Sequence, residues 1–156
     1  MANVTIKGAR RQFGNNPYGN LSVLLFALAT NASGAAINSD SAAAIGIGDV
    51  VDLGPLPEGM RLDDAQILVA TGMTATITGS LGFKYEDGQD STEVPQDAAY
   101  FGTGIDLAAA GRKRATGTKL VTLPKPARLI LTTAVAANAK ASDLKVLVTG
   151  ELLGPR

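Results

Sequence analysis

Apolar residues recur at every second position through several stretches of this chain, and Gly or Pro interrupts the pattern between them. Side chains alternate across a strand, so a period of two marks a segment with one core face and one wet face. In Ser142–Leu153, Leu144, Val146, Val148 and Leu152 point one way. Lys145, Thr149 and Glu151 point the other, with Leu147 and Leu153. In Thr74–Tyr85, Ala75, Ile77, Leu81, Phe83 and Tyr85 line one side with Gly79, opposite Thr74, Thr76, Thr78, Ser80 and Lys84. Gly79 and Gly82 mark a bulge or the close approach of another backbone. Ala65, Ile67 and Val69 share a face, and so do Leu129 and Leu131. Such a pattern builds sheets.

The remaining segments complete the reading. Leu21–Ala29 is almost wholly apolar, which predicts a strand buried on both faces or a short helix. Thr30–Ile47 reads as a long loop, with one helical turn at Ser41–Ala44. Asp49–Leu53 is a short strand, closed by Gly54-Pro55-Leu56-Pro57-Glu58-Gly59, because the two prolines forbid a central strand there. Glu86–Gln96 is an acidic turn. Asp97–Phe101 reads as one helical turn capped by Asp97, and Ile105–Ala110 as another, capped by Asp106 and stopped by Gly111. Gly111–Arg114 reads as a basic turn, and Lys119–Leu123 as a strand ended by Pro124-Lys125-Pro126. Ala134–Ala141 is a small-residue loop. About seven or eight strands at this spacing predict a sandwich or barrel. Residues 1–20 read as an N-terminal arm, rich in turn formers, and residues 21–156 as a single β-domain.

With 156 residues, the chain can bury roughly 70% of its unfolded surface and needs no staple. It has no His, Cys or Trp, which removes the usual nucleophile–base pairs, thiolate chemistry and nearly all transition-metal sites. No cofactor is expected. Fourteen basic residues balance 14 acidic ones. A nucleic-acid binder shows a basic excess, so no nucleic-acid partner is expected, and self-association is not electrostatically opposed. The longest apolar run, Val23–Ala29, is far short of the roughly 20 residues of a membrane-spanning helix, and no membrane partner is expected. Met1–Lys7 lacks the make-up of a signal peptide, so a soluble protein made in the cytosol is expected. The Asn-x-Ser/Thr triplets at Asn3, Asn20 and Asn31 read as chance matches.

Candidate sites are few. Glu86, Asp87, Asp90 and Glu93 offer hard oxygens to calcium, but lack the EF-hand spacing and flanking helices, so a solvated hairpin tip is the better reading. Asp49, Asp52, Asp63 and Asp64 can be read as paired carboxylates for acid–base catalysis, as in glycosidases, but Asp49 and Asp52 flank a strand, which is ordinary for a turn. With three Tyr, four Phe and no Trp, a sugar-stacking groove is not in view, and no companion motif supports an enzyme. Gly46-Ile47-Gly48-Asp49 and Gly102-Thr103-Gly104 lack the residues a phosphate loop needs. The Thr-rich side of Thr74–Ser80 lacks the repetition of an ice-binding ladder and reads as ordinary exposed strand. Arg10 and Arg11, with Phe13 and Tyr18 in the arm, are of the Arg and aromatic types that anchor protein interfaces, and are the expected partner contacts. Arg112, Lys113 and Arg114 form a second basic cluster, read either as a contact to an acidic partner or as a solvated turn.

The run Asp49–Val69 carries a resemblance. A short strand leads into Leu56-Pro57-Glu58-Gly59 and on into an alternating strand. Thr76–Tyr85 then runs into the acidic loop and Asp97–Phe101, and Pro126–Thr133 and Leu144–Val148 close the domain. Over roughly residues 45–152 this resembles the decoration, or cement, proteins of tailed-bacteriophage heads. The resemblance is one of strand-and-turn order, without a chemical signature. It implies an all-β, jelly-roll-like sandwich on the exterior of a virion capsid, made in the host cytoplasm. There it would clamp neighbouring major capsid subunits and associate with itself as a dimer or trimer. It offers no catalytic residue. A tail or fibre-base protein would share the β-content. A carbohydrate-binding sandwich would need an aromatic face from Phe83, Tyr85, Tyr100 and Phe101.

Overall fold

The computed structural model describes residues 1–7 and 20–154. Among these there is no helix, and ten strands form: β1 (Asn3–Thr5), β2 (Leu21–Thr30), β3 (Val50–Leu56), β4 (Met60–Thr71), β5 (Thr78–Tyr85), β6 (Asp97–Asp106), β7 (Gly111–Arg114), β8 (Val121–Thr122), β9 (Ala127–Ala134) and β10 (Ser142–Leu152). They build two sheets, ordered β1-β3-β9-β5-β6 and β2-β10-β4-β7, with β8 paired to β4. Setting aside β1 and the two-residue β8, two four-stranded antiparallel sheets remain. With β1 and β8 so set aside, the chain crosses between the sheets at every connection except the β5–β6 hairpin. That order is the eight-stranded jelly roll, as expected.

The period-two pattern places the core side chains, with one correction: β5 begins at Thr78, and Ala75, expected on the core side, is exposed in the turn before it. Met60, Leu62, Ala65, Ile67 and Val69 of β4 and Leu144, Val146, Val148 and Leu152 of β10 point inward. They meet Leu81, Phe83 and Tyr85 of β5, Leu129 and Leu131 of β9, and Val51 and Leu53 of β3. Each large apolar side chain so buried contributes about 1.5–3 kcal/mol. The rings form an edge-to-face series, with centroids 5.8 Å apart for Phe83–Tyr85, 5.5 Å for Phe83–Tyr100 and 4.8 Å for Tyr100–Phe101.

Several local expectations are corrected. Asp97–Phe101 and Ile105 lie in strand β6. The Asp97 carboxylate does accept the Ala99 N–H, at 2.9 Å, but Tyr100 and Phe101 are both buried and the chain stays extended to bury them. After β6, Asp106 accepts from the N–H groups of Ala108 and Ala109 (2.9 and 3.2 Å) without a helix following. Ser41–Ala44 is not helical either. Gly111–Arg114 is a strand rather than a turn. Pro55 lies within β3, opposite Arg128 of β9. It is tolerated because β1 pairs only with Val50–Asp52, so β3 has an open side at Pro55 and no N–H is missed. Leu21–Ala29 is an edge strand with one face open rather than a strand buried twice.

Of residues 1–20, Asn3–Thr5 form β1, parallel to β3. Arg10, Arg11, Phe13 and Tyr18 lie outside the described residues. No helix of the described residues is long and apolar enough to cross a membrane.

Candidate functional site

The carboxylates singled out in the sequence are engaged in holding the fold. Asp49 is buried and accepts the N–H groups of Ala2 (2.6 Å) and Gly46 (2.7 Å). The Ala2 bond above all, against the opposing effect of burial, holds its carboxyl below the ordinary value. Asp52 receives the Arg128 Nε at 3.0 Å on both oxygens. Asp63 pairs with Arg61 at 2.7 Å and Asp64 with Arg114 at 2.8 Å. Each of the four carboxylates is thus taken up by a backbone N–H or an Arg side chain.

The acidic loop is likewise tied down. Lys125 reaches Asp87 at 2.8 Å and the carbonyl of Gln89 at 2.7 Å, and lies 4.6 Å from the centre of the Tyr85 ring. Asp90 accepts from Ser91 N–H and Gln96 N–H, and the Tyr85 hydroxyl donates to the carbonyl of Val94. Among the described residues no group of three or more Asp or Glu side chains is arranged to hold a metal ion. Phe83, Tyr85, Tyr100 and Phe101 are all buried, so they form no aromatic face for a sugar.

What the fold does present is the outer face of the β2-β10-β4-β7 sheet. Register brings four rows of side chains across it. Leu21 lies beside Glu151 and Arg61, Val23 beside Thr149 and Asp64, Leu25 beside Leu147, Gln66 and Arg114, and Ala27 beside Lys145, Leu68 and Arg112. The face is divided. Toward β7 it is charged and largely paired: Arg61 bridges Asp63 and Glu151, each at 2.7 Å, and Arg114 holds Asp64, while Arg112 donates to the neutral amide of Gln66 at 2.9 Å. Toward β2 it is apolar and open, with Leu21, Val23 and Leu25 exposed by 68%, 56% and 64%.

The second basic cluster therefore lies on one strand. Arg112 and Arg114 share the outer face, while Lys113 lies opposite Ile67 and reaches Asp106 at 3.4 Å. Sequence reading missed the Leu21/Val23/Leu25 stripe, because continuous apolarity reads as burial on both faces. The odd-numbered positions of β2 carry no charge, so nothing in the sequence marks them as exposed.

No family model matches the chain, and no curated protein matches it. Solved structures do share its fold. A chain in the capsid of Ralstonia phage GP4 superimposes with a TM-score of 0.67 at 17% identity, covering 99% of this chain and 100% of that one. A chain of the cyanophage Pam1 capsid asymmetric unit gives 0.58 at 19% identity, over 89% of each chain. A chain of the acid-stable capsid of Helicobacter pylori bacteriophage KHP30 gives 0.51 at 17% identity, over 86% of this chain and 94% of that one. At these identities the likeness is one of fold.

Proposed function

We propose that this chain is a structural protein of a phage virion, which binds the outside of an icosahedral capsid and clamps neighbouring major capsid subunits. The observation that carries this reading is the end-to-end fold likeness, 99% of this chain against 100% of a chain in the GP4 phage capsid. Physical chemistry supports the same role. Packaged DNA presses subunits apart, and a protein bridging two of them opposes the separation. Repetition over a shell makes weak contacts effective. A chain with no net charge and rich in small residues meets another protein with little desolvation of charge.

In this reading Arg10, Arg11, Phe13 and Tyr18, with Arg112, Lys113 and Arg114, contact the capsid subunits, and the protein is a dimer or trimer. It is made in the host cytoplasm and ends on the capsid exterior. Neither an enzymatic step nor a cofactor enters the role.

Cryo-electron microscopy of particles from the source tests it by copy number and position. Many ordered copies lying outside the shell across subunit junctions are expected. A handful of copies at one vertex would make this a tail protein, and absence from the particle would overturn the virion role. Alanine at Arg10, Arg11, Phe13 and Tyr18 together is expected to weaken binding to bare capsids. Unchanged binding would remove the arm from the interface.

A further inference from the structure

A sheet edge exposes unpaired N–H and C=O groups, and proteins ordinarily blunt it with charge, proline, glycine kinks or brevity. Three of the four edges here are treated in that way. β1 has three residues. β6 is kinked by Gly102 and Gly104 at φ 147° and 65° and is partly covered by Thr116 and Gly117, whose N–H groups bond to the carbonyl of Phe101. β7 is four residues long and reads Gly-Arg-Lys-Arg. The fourth edge, β2, runs ten residues as Leu-Ser-Val-Leu-Leu-Phe-Ala-Leu-Ala-Thr. It contains no charge, Pro or Gly, and its pairing with β10 runs without a register shift.

The direction of its backbone groups follows from one bond. Ile37 N–H donates to the carbonyl of Ala29 at 2.8 Å, and Ile37 lies on the side of β2 away from β10. N–H and C=O of one residue in an antiparallel strand point to the same side, and that side alternates. Leu21, Val23, Leu25 and Ala27 therefore aim their backbone groups at the open edge. Among the described residues these groups have no partner. The same four residues turn their side chains to the outer face.

We propose that β2 is the self-association strand of this protein, pairing antiparallel with β2 of a second copy about a twofold axis at Leu24. In that register Val23 faces Leu25 of the other copy, and Leu21 faces Ala27, so all four outward-pointing residues form hydrogen-bonded cross-strand pairs. An uncharged strand is best matched by an uncharged strand, and the charges nearest to it across the sheet are already spent on one another. The isologous arrangement closes, which lets an unprotected edge exist without open-ended growth. This inference stands on the sheet edge alone and is independent of the virion role.

Sedimentation velocity over a range of concentrations tests it on the full chain. A concentration-dependent dimer is expected. V23K/L25K places like charges opposite one another, and is expected to raise the dissociation constant about tenfold or more. V23K/L25E places Lys against Glu twice across the same axis and is expected to restore the dimer. Circular dichroism melts check that both variants are folded, and because they carry equal numbers of substitutions, a loss from misfolding would not be repaired by the second. Three results would overturn the proposal: a monomer at every concentration, an oligomer indifferent to V23K/L25K, or failure of V23K/L25E to recover it. Amide exchange adds a further reading. Protection of Leu21, Val23, Leu25 and Ala27 that grows with concentration supports pairing between copies. Protection that is the same in the monomer would assign the edge to the chain's own residues and overturn it.

Discussion

Asn138 is 1% exposed and uses both ends of its amide. Its Oδ1 accepts from the N–H and hydroxyl of Thr74 (3.1 and 3.2 Å), and its Nδ2 donates to Thr30 Oγ1 at 3.0 Å and to the carbonyl of Lys140 at 2.9 Å. One side chain thus ties the end of β2 to the β4–β5 and β9–β10 connections. Asn138→Ala removes the acceptor of the Thr74 N–H and cuts Thr74 off from the bonds that Thr30 keeps with Lys140 (2.9 Å) and Ser142 (2.7 Å). It is expected to cost about 2–3 kcal/mol, read as a lower urea midpoint at unchanged slope. The tyrosines give a second comparison. The Tyr100 hydroxyl lies 3.0 Å from the carbonyl of Leu62 and 2.9 Å from that of Lys119, and it accepts the Val121 N–H at 3.2 Å. The Tyr85 hydroxyl donates to the carbonyl of Val94 and also bonds the Ser91 side chain in the half-exposed acidic loop. Tyr100→Phe strands a donor and is expected to cost about 2 kcal/mol, against about 1 kcal/mol for Tyr85→Phe; equal melting shifts would contradict this. Neither role is legible in the sequence. Asn138 stands in a run of alanines that reads only as loop, and Tyr100 follows two alanines without a period to place it.

The elements divide by how many neighbours each must satisfy. β4, β5, β9 and β10 each have a neighbouring strand on both sides and one face on the core. The alternation is unbroken in β10 and interrupted at Asp63–Asp64 in β4, so Ala65, Ile67 and Val69 are legible as inward while Met60 and Leu62, beyond the break, are not. β6 has no such alternation. Its pairing with β5 shifts on both sides of Leu81, and a strand so broken loses its period and reads as helical turns. Those shifts have a cause. A Cβ on Gly82 would sit 2.1 Å from the carbonyl oxygen of Asp97 and 2.4 Å from the carbonyl carbon of Ala98, contacts no side chain tolerates. The sequence signals a close approach at Gly82, but not which backbone comes near. Gly82→Ala must push β6 away from β5. It is expected to destabilise by about 2 kcal/mol or more, and to raise amide exchange first in β6 rather than in β10. The charged strand β7 and the apolar strand β2 show the other limit. A basic run reads as a turn and an apolar run as buried, since composition alone does not tell an edge strand from either.

At the scale of the whole molecule, carboxylates stitch the loops of the sandwich together, and this sets its response to acid. Five of them are held below their ordinary value of 3.8: Asp40 chiefly by the N–H of Thr5, Asp49 by that of Ala2, Asp87 by the Lys125 ammonium, Asp97 by the N–H of Ala99 and Asp106 by that of Ala109. A carboxyl with a lower pKa when folded binds its proton more readily when unfolded. Its stabilisation is therefore complete above the unfolded value and fades as pH falls through the folded one. The melting temperature is expected to hold level from neutral pH to about 5, and to fall below about pH 4. With no His in the chain, no side chain with an ordinary pKa between pH 5 and 8 enters this profile. Asp49 allows the cause to be isolated, since its two oxygens serve two segments, one accepting from Ala2 and the other from Gly46. Asp49→Asn keeps the shape, removes the titration, and turns an NH₂ toward one of those donors. It is expected to cost about 1–3 kcal/mol at pH 7. It is also expected to flatten the acid limb, so that parent and variant melting curves converge as pH falls toward 3. If the two ran parallel down to that pH, the acid response would belong to the other carboxylates, and the bond from Ala2 would not be what lowers Asp49.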